Sequence, residues 1–184
     1  MKFPMFKVHI DKEIALKNIS CVIDSGFFNE GVQVQEFSKS LSRKLGIKNI
    51  VLTNSCTSAL TMALKLSGVG PGDEVISTSM TCLATNTPIL NLGGKIVWAD
   101  IDPNTGNICP EDVLDKITEK TKAVMCVNWA GLPCDLKKLM EICNEKGIKL
   151  IQDAAHSFGS KYMGQDISNF AHFTCYSFQA IKHI

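Results

Sequence analysis

Apolar residues recur along this chain at two spacings, and the change from one to the other divides it. Near the start the spacing is helical. Ile14, Ala15, Ile19, Val22 and Ile23 follow Asp11, a residue suited to an N-cap, and Gly26 lies just beyond. A second helix is predicted from about Val34, with Val34, Phe37, Leu41 and Leu45 on one face and Gly46 closing it. Short β-rich runs then take over: NIVLT at 49–53, EVIST at 74–78, KIVWA at 95–99, KAVMCV at 122–127 and IKLIQ at 148–152.

Helical stretches are predicted between these runs. Residues 57–67 place Leu60, Ala63, Leu64 and Ser67 on one side, with Gly68 after them. Residues 110–119 open with Pro110 at the first helical position and two acids, Glu111 and Asp112, in the first turn. Residues 135–146 open on Asp135 as a cap, carry Leu136, Leu139, Met140 and Cys143, and stop at Gly147. PGDE at 71–74 and DPNTG at 102–106 read as turns. Nearly all-apolar strands alternating with amphipathic helices predict an α/β protein: a three-layer α/β/α arrangement with a mainly parallel sheet covered on both faces.

Composition narrows the class further. The 184 residues are 45% apolar and 20% charged, enough to bury the core of one ordinary soluble domain. The formal charge is +1 from interspersed lysines and acids, which excludes the basic stripe a nucleic acid or anionic membrane surface needs. No apolar run reaches the roughly 18 residues of a spanning helix, and MKFPMFKVHIDKE is too polar for a secretory leader, so a cytoplasmic protein is expected. The eight cysteines, at 21, 56, 82, 109, 126, 134, 143 and 175, lack the close pairs of a zinc site. Free, buried thiols and no metal are expected.

In parallel sheets ligands bind beyond the carboxyl ends of the strands. That rule selects NSCTSA, TSMTCLATN and DAAHS. NSCTSA brings hydroxyls and backbone N–H groups to a helix N-terminus, a site for phosphate, although Ser and Thr are equally at home there as ordinary caps. It has neither the G-x-G-x-x-G nor the G-K-[ST] pattern of a nucleotide loop. Asp153 ends a strand, as a cap or as a ligand group, and His156 follows three residues on. A Ser-His-Asp hydrolase would need a G-x-S-x-G elbow, and none is present. Alone, Lys182 would be a surface charge. Together these residues match the three needs of pyridoxal 5'-phosphate (PLP): a phosphate anchor, a carboxylate for the pyridine nitrogen and a lysine for the aldehyde.

With SGFFNEG, FSKSLSRKLG, NSCTSAL, PGDEVI, ADIDPNTGN, VNWAGLPCDL, QDAAHSFGSKYMG and SFQAIK in this order, the chain resembles the DegT/DnrJ/EryC1/StrS family of PLP-dependent nucleotide-sugar aminotransferases. The resemblance implies the large-domain part of a fold-type I PLP-dependent transferase. Residues 1–184 would be the truncated, N-terminal portion of that PLP-binding domain, without the C-terminal small domain. It further implies that Lys182 binds the cofactor aldehyde and carries protons, and that Asp153 pairs with the pyridine nitrogen. His156 would meet the ring oxygen, Cys82 would take the place beside the ring, and Cys56, Thr57, Ser58 and Ser177 would hold the phosphate. The implied reaction is ping-pong transfer of an amino group from an amino acid, glutamate or glutamine, to a nucleotide-linked keto sugar, by a homodimer whose sites borrow partner residues.

Departures from the family pattern bear on tuning. Cys56 stands where a glycine is usual, Cys82 where an aromatic ring commonly stacks, His156 where many relatives have glutamine, Asn128 for a frequent histidine and Gln152 for a frequent acid. Lys182 argues for transamination and against the dehydratases of the family, which carry histidine there. Because relatives continue well past this lysine, the 184 residues by themselves are expected to be inactive. The alternatives are a non-catalytic module of the same fold and another fold-type I PLP enzyme, such as a desulfurase or decarboxylase.

Overall fold

The computed structural model describes residues 7–182; residues 1–6, part of the stretch weighed as a leader, and 183–184 lie outside them. The chain divides into two compact units, Met1–Leu52 and Thr53–Ile184. Every candidate site residue belongs to the second.

The first unit holds two helices. Helix α1 (Lys12–Ser25) is capped by the Asp11 side chain, which accepts from Ile14 N, and ends at Gly26 in the left-handed conformation. Its Ile14, Ile19 and Ile23 are exposed, so the helical spacing is real but its apolar face is not buried. Helix α2 (Val32–Leu45) starts two residues earlier than its pattern predicts, with Gly31 as its cap, and buries Leu41 and Leu45.

The second unit is the α/β body. Its strands β1 (Glu74–Thr78), β2 (Lys95–Ala99), β3 (Thr121–Val127), β4 (Lys149–Asp153) and β7 (Phe173–Cys175) form one sheet in the order β2-β1-β3-β4-β7. All its pairings are parallel. A small hairpin, β5 (Lys161–Tyr162) with β6 (Gln165–Asp166), stands apart from it. Helices α3 (Cys56–Leu66) and α4 (Leu83–Asn91) are followed by α5 (Pro110–Asp115) and α6 (Leu136–Lys146).

Alternation along the strands sorts the core into two layers. Val75, Ala123, Met125 and Ile151 pack with Leu60, Ala63 and Leu64 of α3 and Ile89 of α4. Their sequence neighbours Ile76, Val124, Cys126 and Leu150 pack with Val113 of α5 and Leu136, Leu139 and Cys143 of α6 on the other face. The three-layer parallel fold is therefore as expected. The crossover from β1 outward to β2 runs through α4, and the return from β2 to β3 runs through α5 on the opposite face. That is the outcome right-handed connections require when the strand order reverses, and the reversal lies between β1 and β3.

Several expectations need correction. NIVLT at 49–53 forms no strand: pairing needs a neighbour, no ladder includes these residues, and Val51 is 71% exposed. The helix predicted over 110–119 ends at Asp115, where Lys116 N turns back to Val113 O and Leu114 O. Strand β4 runs one residue further than predicted and so includes Asp153. All eight cysteines are free, but only Cys126, Cys134, Cys143 and Cys175 are buried; Cys21 and Cys82 are exposed.

Candidate active site

The carboxyl ends of the strands carry the polar residues. Asp153, the last residue of β4, is buried with 5% of its surface exposed. Its Oδ2 accepts from Thr85 Oγ1 at 2.7 Å and its Oδ1 accepts from Ala155 N at 3.0 Å. Thr85 lies in the first turn of α4, the N-terminal end of a helix whose dipole favours a negative charge. Each carboxylate oxygen has two lone pairs, so one donor apiece leaves Asp153 capacity for another partner.

Gln152 and Asp153 point to opposite faces, as neighbours in a strand must. Gln152 enters a largely buried polar network with Asn128, the residue after β3. Asn128 Nδ2 donates to Gln152 Oε1 at 3.0 Å and to Ser157 Oγ at 3.1 Å, while Asn128 Oδ1 accepts from Cys134 N at 3.0 Å. Gln152 Nε2 donates to Ile167 O at 2.9 Å and Thr174 Oγ1 at 3.2 Å. The two departures from the family pattern are thus bonded to each other, and their network steadies the ends of β3, β4 and β7.

NSCTSA does form a helix N-terminus, though not behind a strand. Ser55 caps α3: its Oγ accepts from Ser58 N at 3.1 Å. Ser58 Oγ donates to Asn54 Oδ1 at 2.7 Å and sits 3.0 Å from Ser55 Oγ. The Ser58 hydroxyl therefore shapes the cup rather than facing outward with its proton. The first N–H groups of α3, on Cys56 and Thr57, have no acceptor within their own helix, as at every helix start.

Cys56 connects this cup to the strand ends. Its Sγ donates to Cys175 O at 3.7 Å. Burial, followed by the negative charge of Asp153, pushes the Cys56 thiol up to about 12, and the Lys182 ammonium pulls the other way. Cys56, Asp153 and Lys182 consequently share one electrostatic environment. Burial raises the Cys175 thiol in the same manner, with smaller contributions from Cys56 and Asp153.

The remaining candidates lie around this group. Lys182 is half-buried and its backbone N donates to Gln179 O at 2.8 Å. Ser177 is buried, and its Oγ accepts from Gln179 N at 3.4 Å. Cys82 is exposed and occupies the N-cap of α4, three residues before Thr85. The His156 ring meets Trp129 edge-on with centroids 5.7 Å apart. Gly131 makes this approach possible: at φ 89°, any Cβ there would lie 2.9 Å from His156 O. Sequence reasoning missed Thr85; its signal was the i, i+4 pair of hydroxyls, Thr81 and Thr85, opening a helix.

A family model places this sequence among known proteins. The model of the DegT/DnrJ/EryC1/StrS aminotransferase family matches residues 9–184. The chain belongs to that family.

Among DegT/DnrJ/EryC1/StrS relatives, the spore coat polysaccharide biosynthesis protein SpsC of Bacillus subtilis (strain 168) is 37% identical over 169 residues, covering 92% of this chain and 43% of SpsC. The sugar-aminotransferase candidate Spr1654 of Streptococcus pneumoniae, in its PLP-form, superposes with a TM-score of 0.92 at 32% identity, covering 98% of this chain and 50% of that one. PseC of Helicobacter pylori, an aminotransferase involved in the biosynthesis of pseudoaminic acid, gives a TM-score of 0.91 at 30% identity over 98% of this chain and 48% of its own. The chain thus spans half or less of the length of these relatives. No described helix is long and apolar enough to cross a membrane.

Proposed function

We propose that this chain is the cofactor-holding part of a PLP-dependent aminotransferase that moves an amino group from glutamate or glutamine to a nucleotide-linked keto sugar. Residues 1–184 are read as the N-terminal portion of the PLP-binding large domain, with the small domain not among them. The working enzyme is read as a cytoplasmic homodimer. The observation that carries the reading is the buried Asp153 carboxylate at the end of β4, paired across the ladder with Cys175, whose carbonyl accepts from Cys56 at the N-terminus of α3.

The residues fit the cofactor. A buried carboxylate with donors on both oxygens and lone pairs to spare suits a protonated pyridine nitrogen. The α3 N-terminus suits a phosphate, and Cys56 adds no charge against it because its thiol stays neutral. When bound, PLP supplies a sink for the electrons left beside the amino nitrogen as a proton departs.

The chain's own residues then have separate tasks. Asp153 holds the proton on the ring nitrogen by opposite charge. The Cys56 and Thr57 N–H groups and the Ser177 hydroxyl hold the phosphate, with Ser58 keeping the cup in shape. His156 would steady the ring oxygen and Cys82 would take the place beside the ring. Lys182 Nζ would hold the cofactor's aldehyde and would carry the proton in each half of the transfer.

Two measurements test this reading. Borohydride reduction of the PLP-loaded protein should add the cofactor's mass to the peptide carrying Lys182, and Lys182→Ala should abolish the adduct. Glutamate offered with UDP-, GDP- and dTDP-linked keto sugars should yield an amino sugar from the whole enzyme but not from residues 1–184 alone. A loaded whole enzyme that transfers nitrogen to none of these sugars would overturn the substrate assignment.

A further inference from the structure

Asp153 is held by more than its own strand. Thr85 Oγ1 donates to Asp153 Oδ2 at 2.7 Å, and Thr81 Oγ1 lies 2.7 Å from Thr85 Oγ1. A hydroxyl has one proton. Since that of Thr85 is given to the carboxylate, the proton between the two threonines must come from Thr81. The chain of donation therefore runs in one direction, from Thr81 to Thr85 to Asp153, and each bond polarises the next.

The threonines are well placed for this. Thr85 is 1% exposed, so no water replaces it readily, and Thr81 is half-buried at the mouth of the same turn. Their helix is anchored independently: Asn86 Nδ2 donates to Thr78 O at 3.0 Å, and Ser77 Oγ donates to Asn86 Oδ1 at 2.7 Å. Because α4 is tied to β1 in this way, the Thr85 hydroxyl fixes the carboxylate to a rigid part of the sheet. Cys82, the N-cap of α4, lies on the same turn.

We infer that Thr85, polarised by Thr81, is a positioning residue that locks the Asp153 carboxylate for contact with the cofactor's ring nitrogen. The inference rests on the PLP reading above. It assigns Thr85 no contact with cofactor or substrate; the residue acts through Asp153. The interaction should thus matter for a ligand with a ring nitrogen and not for one without.

The test compares PLP with 1-deaza-pyridoxal phosphate, in which carbon replaces that nitrogen, by binding to cofactor-free protein. Wild type should prefer PLP, and Asp153→Asn should erase the preference. Thr85→Val should weaken PLP binding by about tenfold, the usual size of one buried charge-assisted bond, while leaving the deaza analogue unchanged. Thr85→Ser should restore the wild-type affinity, and Thr81→Val should show a smaller loss with the same selectivity. In an Asp153→Asn background, Thr85→Val should have no further effect on the preference. Equal weakening of both ligands by Thr85→Val, or no weakening of either, would overturn the role of Thr85 while leaving the PLP reading intact. A wild-type protein that binds both ligands alike, unaltered by Asp153→Asn, would instead remove the ring-nitrogen contact and the inference with it.

Discussion

Asn128 and Gln152 show what a single residue does here and what sequence alone conceals about it. Each stands out as a departure from the family pattern, yet they are separated by 24 positions and nothing in their spacing says they touch. The register of β3 and β4 brings them together, with Cys126 opposite Gln152 and Val127 opposite Asp153. Removing one amide strands the other in a dry site, which costs about 1–3 kcal/mol per unsatisfied group. Asn128→Ala and Gln152→Ala should each destabilise the protein by about 2 kcal/mol. The double variant should fall short of their sum by about 1 kcal/mol in urea unfolding. Cys56 illustrates the same limit: its position at the cup was readable, its reactivity was not. With its thiol pushed up to about 12, only about one molecule in ten thousand carries the thiolate at about pH 8. Iodoacetamide at that pH should label exposed Cys21 and Cys82 well before Cys56, as peptide mass analysis would show.

At the scale of elements, capped helices and fully apolar strands were legible, and the failures have physical causes. Helix α6 is held where its sequence predicts: Asp135 Oδ1 accepts from Lys138 N at 3.2 Å, and Gly147 ends the helix in the left-handed conformation. The Asp135 carboxylate also accepts from Tyr162 Oη at 2.8 Å. Asp135→Ala should therefore lower stability by about 1 kcal/mol in denaturant unfolding. Helix α4 escaped notice because Pro88 lies inside it and its buried side includes Thr85 and Asn86, which no apolar periodicity marks. The short β7 was missed for a related reason, as its run HFTC borrows a histidine for the ladder. His172 Nδ1 accepts from Leu150 N at 3.1 Å, while its own N donates to Leu150 O at 3.1 Å. Burial, aided by Lys149, lowers the pKa of this imidazole from 6.5. A depressed folded value means the neutral form stabilises the fold above pH 6.5 and that this contribution is lost as the pH falls below it. Melting temperature should drop further for wild type than for His172→Gln between about pH 7.5 and about pH 5.

For the whole molecule, the layer architecture followed from hydrophobic pattern because the inner strands bury both faces, and it points to the carboxyl ends of the strands as the place where ligands approach. The carboxyl edge of the sheet could be named as the candidate site before any contact was known. What was not legible is the set of couplings across that edge, since Thr85 with Asp153 and Cys56 with Cys175 join residues separated by 68 and 119 positions. Core substitutions report on the layers: Leu139→Ala, on a fully buried residue of α6, should cost about 2–5 kcal/mol.

Strand β4 is apolar toward both layers, with Leu150 facing one and Ile151 the other, each fully buried. Sliding it by one residue would exchange leucine for isoleucine, a substitution to which oil is nearly indifferent. Its polar end is not indifferent. Asp153 has its partner on the α4 side and Gln152 has its own on the side of Asn128 and Ile167, and a slip would leave both groups facing the wrong neighbours. Asp153, proposed above to meet the ring nitrogen, thus also serves with Gln152 as an alignment mark by which the sheet is assembled. On that proposal, laboratory evolution at Asp153 would be selecting for folding accuracy and chemistry in the same step.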